Sequence, residues 1–109
     1  MQYIKEIDAH ELAQWLESDH QLRIIDVREM KEIHAGTIDG AIPLPLATLP
    51  VRMNEFTNNE EKLVLVCRSG ARSAHACGFM QQNGFNNVYN LRGGILAWAN
   101  NRFPLANIQ

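Results

Sequence analysis

The chain has 109 residues, 46% of them hydrophobic and 20% charged, enough for one globular domain and too few for two. Ten lysines and arginines against twelve aspartates and glutamates give a formal charge of −2, so no basic stripe is available for nucleic acid or an anionic membrane surface. No apolar run approaches the length that spans a bilayer.

The opening Met1-Gln2-Tyr3-Ile4-Lys5-Glu6 lacks the charged segment and apolar stretch of a signal peptide, and the cytoplasm is the expected location. Tyr3 to Ile7 suits a short edge strand. Asp8 is a good N-cap for a helix from Ala9 to Ser18, in which Leu12, Trp15 and Leu16 recur at helical spacing. Arg23 to Val27 predicts a second strand, and Arg28 to Ile33 a short helix closed by Ala35-Gly36. A brief strand lies within Gly40 to Leu44, cut off by Pro43 and Pro45. Leu46 to Phe56 is helical in pattern, with Pro50 marking a start or a kink. Asn58 to Lys62 is a polar turn, and Leu63-Val64-Leu65-Val66 is a short apolar run that reads as a buried strand. A helix is expected over Arg72 to Asn83, stopped by Asn83-Gly84. Asn87 to Leu91 predicts the last strand, and Gly94 to Asn100 the last helix. Strands alternating with helices predict an α/β domain over residues 1–109, with a mostly parallel sheet covered on both faces.

Ligands of such sheets sit at the carboxyl ends of the strands, and Cys67 is at one. The small-residue loop Arg68-Ser69-Gly70-Ala71 joins that strand end to a helix amino terminus. Successive loop N–H groups can form an anion-binding nest, to which the first helical turn adds unpaired N–H groups and the positive end of the helix dipole. A thiolate held there is stabilised over the thiol, so Cys67 is expected to be a nucleophile at neutral pH. Arg68 and Arg72 add positive charge. Cys77 lies about three helical turns from Cys67, roughly 15 Å along the axis, too far for a disulfide. It is expected to be a small core side chain rather than a resolving thiol.

Three stretches together resemble the single-domain rhodaneses, a sulfurtransferase family. They are Ile24-Ile25-Asp26-Val27-Arg28-Glu29 running through Glu32 to Gly40-Ala41-Ile42-Pro43-Leu44, the loop from Cys67 to Ser73, and the stretch from Gly84 to Trp98 that includes Arg92-Gly93-Gly94. The resemblance implies a five-stranded, mainly parallel sheet with helices on both faces. It also implies that Cys67 takes a sulfane sulfur from a donor such as thiosulfate, forms a persulfide, and passes the sulfur to an acceptor. Cyanide or a thiol would accept it, thioredoxin and glutathione among the cellular thiols, and no metal or organic cofactor is implied. Arg68, Ser69, Gly70, Ala71 and Arg72 match the positions whose backbone amides surround the sulfur in the family. One departure is visible: family members often carry Gly-His-Ile ahead of Gly-Ala, whereas Gly36-Thr37-Ile38 places Thr37 at the histidine position.

Rival readings bear on the same residues. A phosphatase of the Cys-x5-Arg type is disfavoured, because Cys67 and Arg72 are one residue closer than that spacing. A non-catalytic module would have no need of Cys67, whereas a relay fed by a protein persulfide would keep its chemistry. Arg68 and Arg72 are either substrate contacts or surface charges. A cation in a first helical turn is disfavoured unless an anion offsets it, which favours a substrate role for Arg72. Ser73 is either a helix-start hydrogen bonder or a substrate contact. Asp26 and Arg28 are expected to form a structural ion pair or turn. His10, His20, His34 and His75 have no metal-ligand spacing. Gly93-Gly94 provides a turn into the last helix, and Trp98, Ile95 and Leu96 are expected in the core.

Overall fold

The computed structural model describes residues 3–18, 21–56 and 60–107. His20, Met1-Gln2 and the Asn58-Asn59 part of the polar turn lie outside the described residues. Among the described residues five strands form one sheet: β1 (Glu6–Ile7), β2 (Leu22–Asp26), β3 (Ile42–Pro43), β4 (Lys62–Val66) and β5 (Val88–Leu91). Their order is β1-β5-β4-β2-β3 and every pairing is parallel. The described residues also hold five α-helices: α1 (Ala9–Ser18), α2 (Met30–His34), α3 (Leu49–Arg52), α4 (Ala71–Gln82) and α5 (Gly94–Asn100).

Period-two alternation along β4 divides the core in two. Leu63 and Leu65 pack with Leu49 and Met53 of the α3 region and with Ala76, Cys77 and Met80 of α4. Val64 and Val66 pack on the opposite face with Leu12 of α1 and with Ile95 and Trp98 of α5. A parallel strand covered on both faces needs apolar residues at every position, which is why this stretch reads as a continuous run. The same alternation returns Cys67 to the α4 side. From β2 the chain steps outward to β3 and then returns to lay β4 on the other side of β2. That reversal of direction opens a crevice at the carboxyl ends of β2 and β4, so Cys67 and Asp26 flank the place where such sheets bind ligands.

Local chemistry sets the element ends. Asp8 Oδ1 accepts from the Glu11 N–H at 2.8 Å while Glu11 Oε1 accepts from the Asp8 N–H at 3.1 Å, a reciprocal cap on α1. The first strand is shorter than expected. It pairs with β5 only near Glu6 and Ile7, leaving Tyr3 beyond the end of its partner and largely exposed. The short helix begins at Met30 rather than Arg28, because the Arg28 N–H and guanidinium are both held by Asp26. Pro43 belongs to β3 and does not cut it off. β3 is an edge strand, where a missing N–H breaks no ladder bond.

Leu46 to Phe56 is not one helix. It is a 3-10 turn over Leu46–Thr48, then α3, then a second 3-10 turn over Met53–Glu55. Pro50 has no N–H to give the Leu46 carbonyl, so that carbonyl takes the Leu49 N–H in the tighter 3-10 pattern. In α5, Ile95 and Trp98 are buried as expected, but Leu96 points outward and is 41% exposed. Neighbours in helical sequence fall about 100° apart, so Leu96 cannot share the core face of Ile95. None of the described helices is long and apolar enough to cross a membrane.

Candidate active site

β4 ends at Val66, and after four intervening residues α4 begins at Ala71. Within that turn the chain curls round the Cys67 sulfur, which is 1% exposed. The Gly70 N–H donates to Sγ at 3.1 Å, and Ser73 donates from its N–H and approaches with its hydroxyl, both at 3.4 Å. Gly70 occupies the N-cap position of α4 at φ 102° and has no side chain with which to cap. The cysteine sulfur takes the place of a capping oxygen, receiving the N–H of Ser73, the third residue of the helix.

Burial pushes the Cys67 thiol up, but the donors from Ser73, Gly70 and the Ser69 N–H outweigh it, leaving the thiol below its ordinary value. Cys77 lacks such donors. It is fully buried in the core, and burial chiefly pushes it up to about 12. The two free cysteines are therefore pushed in opposite directions by their surroundings.

The turn is pinned from beneath by α5. The Cys67 carbonyl accepts the Ile95 N–H at 2.9 Å, and the Arg68 carbonyl accepts the Leu96 N–H at 3.0 Å. This close approach demands glycine: a Cβ on Gly94 would lie 2.4 Å from the Cys67 carbonyl oxygen and 2.5 Å from that of Arg68. Gly93-Gly94 thus does more than turn the chain into α5. It lets that helix dock against the cysteine loop.

The five loop residues singled out in sequence have different places. Arg68, Ser69 and Ala71 are exposed, Gly70 is buried, and Arg72 is half-buried. Hydrogen bonds to the sulfur come from Gly70 and Ser73, with Ser69 adding its N–H; none from Arg68, Ala71 or Arg72 reaches it. Ala71 and Arg72 are in the first turn of α4, where backbone N–H groups have no intrahelical partner. The Arg68 guanidinium makes no ion pair among the described residues.

Arg72 is engaged by Glu32 of α2, its two terminal nitrogens donating to the two carboxylate oxygens at 2.9 and 3.0 Å. These bonds hold the Glu32 carboxyl down at about 2, against an opposing push from burial; the Glu29 N–H and the charges of Arg72 and Arg28 add to the lowering. The anion that offsets a cation in this helical turn is therefore Glu32. It lies 40 residues away in the chain, so local sequence carried no sign of it.

Across the crevice, Asp26 and Arg28 form the expected structural pair. Asp26 Oδ1 accepts from the Arg28 N–H and Nε, both at 3.0 Å, and Oδ2 accepts from Arg28 Nη2 at 2.8 Å. Thr37 completes the group by donating its hydroxyl to Asp26 Oδ2 at 2.7 Å, while Arg28 Nη2 also reaches the Gly36 carbonyl at 2.7 Å. All three residues are buried. A groove of about 550 Å³, lined by Val27, Glu29, Pro45, Leu46, Ala47 and Arg72, opens beside the cysteine cradle. His75 is exposed.

A cysteine cradled by helix-terminal donors at the carboxyl end of a central parallel strand defines a class: parallel-sheet α/β domains with a strand–cysteine–helix junction. Residues 8–101 match the rhodanese-like domain family, and the chain belongs to it. A sulfurtransferase of Allochromatium vinosum is 41% identical over 102 residues, covering 94% of each chain. A rhodanese-related protein of Thermoplasma volcanium superposes with a TM-score of 0.84 at 28% identity, covering 94% of this chain and 97% of the other. A thiosulfate sulfurtransferase of Pseudomonas aeruginosa gives 0.90 at 25% identity, covering 97% of this chain but 21% of that longer one.

Proposed function

We propose that this protein is a sulfurtransferase that accepts a sulfane sulfur from thiosulfate on Cys67 and delivers it to a thiol or to cyanide. The observation that carries this reading is the donor set on Cys67 Sγ, supplied by Gly70 and Ser73. The same donors that lower the thiol favour a negative sulfur in general, hence also the terminal sulfur of a persulfide. The names of the Allochromatium and Pseudomonas relatives support the reading.

In the loading step the Cys67 thiolate attacks the outer sulfur of thiosulfate. A Cys67 S–S bond forms, the sulfur–sulfur bond of thiosulfate breaks, and sulfite leaves with the electron pair. The negative charge rests on the new outer sulfur, at the amino-terminal end of α4, where the first-turn N–H groups have no intrahelical partner. In the discharge step cyanide or a thiolate attacks that outer sulfur, the persulfide bond breaks, and Cys67 leaves as thiolate. Thiocyanate or an acceptor persulfide is released. Both steps conserve charge and need no general base once Cys67 is ionised.

Intact mass spectrometry after thiosulfate treatment, before and after cyanide, tests this. The expected result is a gain of one sulfur atom that maps to Cys67, is discharged by cyanide, and is absent from a folded Cys67→Ser variant. Transfer retained at a tenth or more of the original rate in Cys67→Ser would sink the mechanism.

A second reading keeps Cys67 and changes the donor to a protein or small-molecule persulfide. It is favoured by the Arg72–Glu32 pair, which cancels much of the positive charge that a dianion such as thiosulfate would seek. Loading by glutathione persulfide but not by thiosulfate would establish it. Turnover of para-nitrophenyl phosphate is expected to be negligible on either reading.

A further inference from the structure

We propose that Glu6, on the edge strand β1, is a positioning residue for Cys67 that acts through Asn90 and Ser73. The inference rests on the reading of Cys67 as the nucleophile. The Ser73 hydroxyl carries a single proton and stands among three acceptors: Asn90 Oδ1 at 2.5 Å, the Gly70 carbonyl at 3.3 Å and Cys67 Sγ at 3.4 Å. It can satisfy only one of them fully at a time. The competition takes place in the interior, Ser73 being 0% and Asn90 1% exposed, so water does not resolve it.

Asn90 tips that competition, and Glu6 sets Asn90. The amide NH2 donates to Glu6 Oε2 at 2.9 Å and to the Gly70 carbonyl at 3.1 Å. Both partners are acceptors, which fixes the amide with its oxygen toward Ser73. The carboxylate draws on the N–H, polarises the amide, and makes Oδ1 a stronger acceptor for the Ser73 proton. The Asn90 contact is the shortest of the three and takes the larger share of that proton. A hydroxyl drawn toward Oδ1 lends less of its proton to the sulfur, so the thiolate keeps the Gly70 and Ser73 N–H donors but only part of the hydroxyl's support. Loss of the Glu6 charge weakens the pull of Oδ1 and lets the Ser73 O–H swing to Sγ, which favours ionised Cys67.

Glu6 is the outer end of this chain and is exposed, whereas Ser73 and Asn90 are enclosed. A basic group laid against β1 would therefore act on the nucleophile without touching it. Other charged or titratable groups around the sulfur are Arg72 on α4, with Glu32 and Glu29 behind it, Arg68 in the loop, and Cys77 further along α4 facing Glu6. None of them donates to or accepts from Ser73 or Asn90.

The test is the pH dependence of Cys67 alkylation by iodoacetamide, read by intact mass on the full chain and compared with Glu6→Gln, Glu6→Ala and each of these combined with Ser73→Ala. Cys77, buried and held at about 12, is silent over the range scanned. Both single variants should move the midpoint to lower pH, with alkylation below the midpoint about threefold faster, the scale of one modest hydrogen bond. The acceleration should vanish in the Ser73→Ala background. An unchanged midpoint in folded Glu6→Ala overturns the proposal. So does an equal shift with Ser73 removed, since the carboxylate would then act through space. Alkylation requires no sulfur donor, so this readout is independent of whether thiosulfate loads Cys67.

Discussion

Cys67 is buried, yet its thiol lies below its ordinary value, because the groups that enclose it are donors aimed at the sulfur. Cys77, ten residues along and enclosed by apolar side chains, is driven the other way. Burial alone thus decides nothing about a thiol; the polarity of what buries it does. Glu32 shows the same at a carboxyl. Its folded-state value of about 2 lies below the ordinary 4.5, so the Arg72 pair stabilises the fold fully above about pH 4.5 and loses that contribution as pH falls toward 2. Replacing Glu32 with Gln should cost about 1 kcal/mol at pH 7, the scale of a partly exposed pair. Urea unfolding of wild type and variant should converge as the pH drops through that window. The same variant frees the Arg72 guanidinium, and the KM for thiosulfate should fall at least about twofold if Arg72 is to assist the dianion. An unchanged KM would make Arg72 a structural residue that ties α4 to α2.

At the scale of elements, the cysteine loop is positioned as much by α5 as by the strand and helix it connects. The first N–H groups of α5 are satisfied by carbonyls of the loop, so each element closes the other's open hydrogen bonds. Gly94 is the point of contact, with φ 61° and no room for a side chain. Gly94→Ala is expected to destabilise the fold by at least about 2 kcal/mol, from the left-handed backbone plus the carbonyl clash, seen as a lower thermal midpoint. It should also slow Cys67 alkylation, because relief of the clash lifts the loop. An alanine variant with wild-type stability would mean that α5 does not approach as closely as described. The α3 region illustrates the opposite case, in which local covalent chemistry overrides pattern. Apolar spacing from Leu46 to Phe56 favours one helix, but Pro50 withholds a single hydrogen bond and the segment breaks into three short turns.

In the whole molecule, β4 is the central strand and both cores are built on it, so Cys67 follows the most enclosed segment of the chain. The edge of the crevice opposite Cys67 is held by the buried Asp26–Arg28–Thr37 group. Thr37, at the position where the family resemblance leads us to expect histidine, donates its hydroxyl to the second carboxylate oxygen of Asp26. Asp26→Ala strands Arg28 in the interior and should cost about 3–5 kcal/mol in chemical unfolding, whereas Thr37→Val should cost about 1–2 kcal/mol. Truncating Leu65, which is fully buried in β4, to Ala should cost about 2–5 kcal/mol. Similar losses for Thr37→Val and Asp26→Ala would show that the charge pair is not what holds this edge.

Helices with caps or sharp stops were legible in the sequence, and so was the continuous apolar run of a strand covered on both faces. So too was the strand–cysteine–helix junction, because its components are consecutive: an apolar run, a cysteine, and small residues leading into a helix. Glycine at the helix start, with a cysteine three residues before it, also signals that the sulfur replaces a capping oxygen. What the linear chain could not disclose were the partners brought from afar. Glu32 neutralises Arg72 across 40 residues, Asn90 competes for the Ser73 proton across 17, and Glu6 reaches Asn90 across 84. Local propensity acts over one turn of helix or one strand pair. The chain by itself therefore determined that Cys67 stands at a strand end before a helix amino terminus, with Ser69 and Gly70 among its donors. It did not determine that Ser73 donates in place of Arg68, Ala71 and Arg72. Only the order in which the parallel strands assemble decided which side chains meet there, because that order is set by burying both faces of β4 at once.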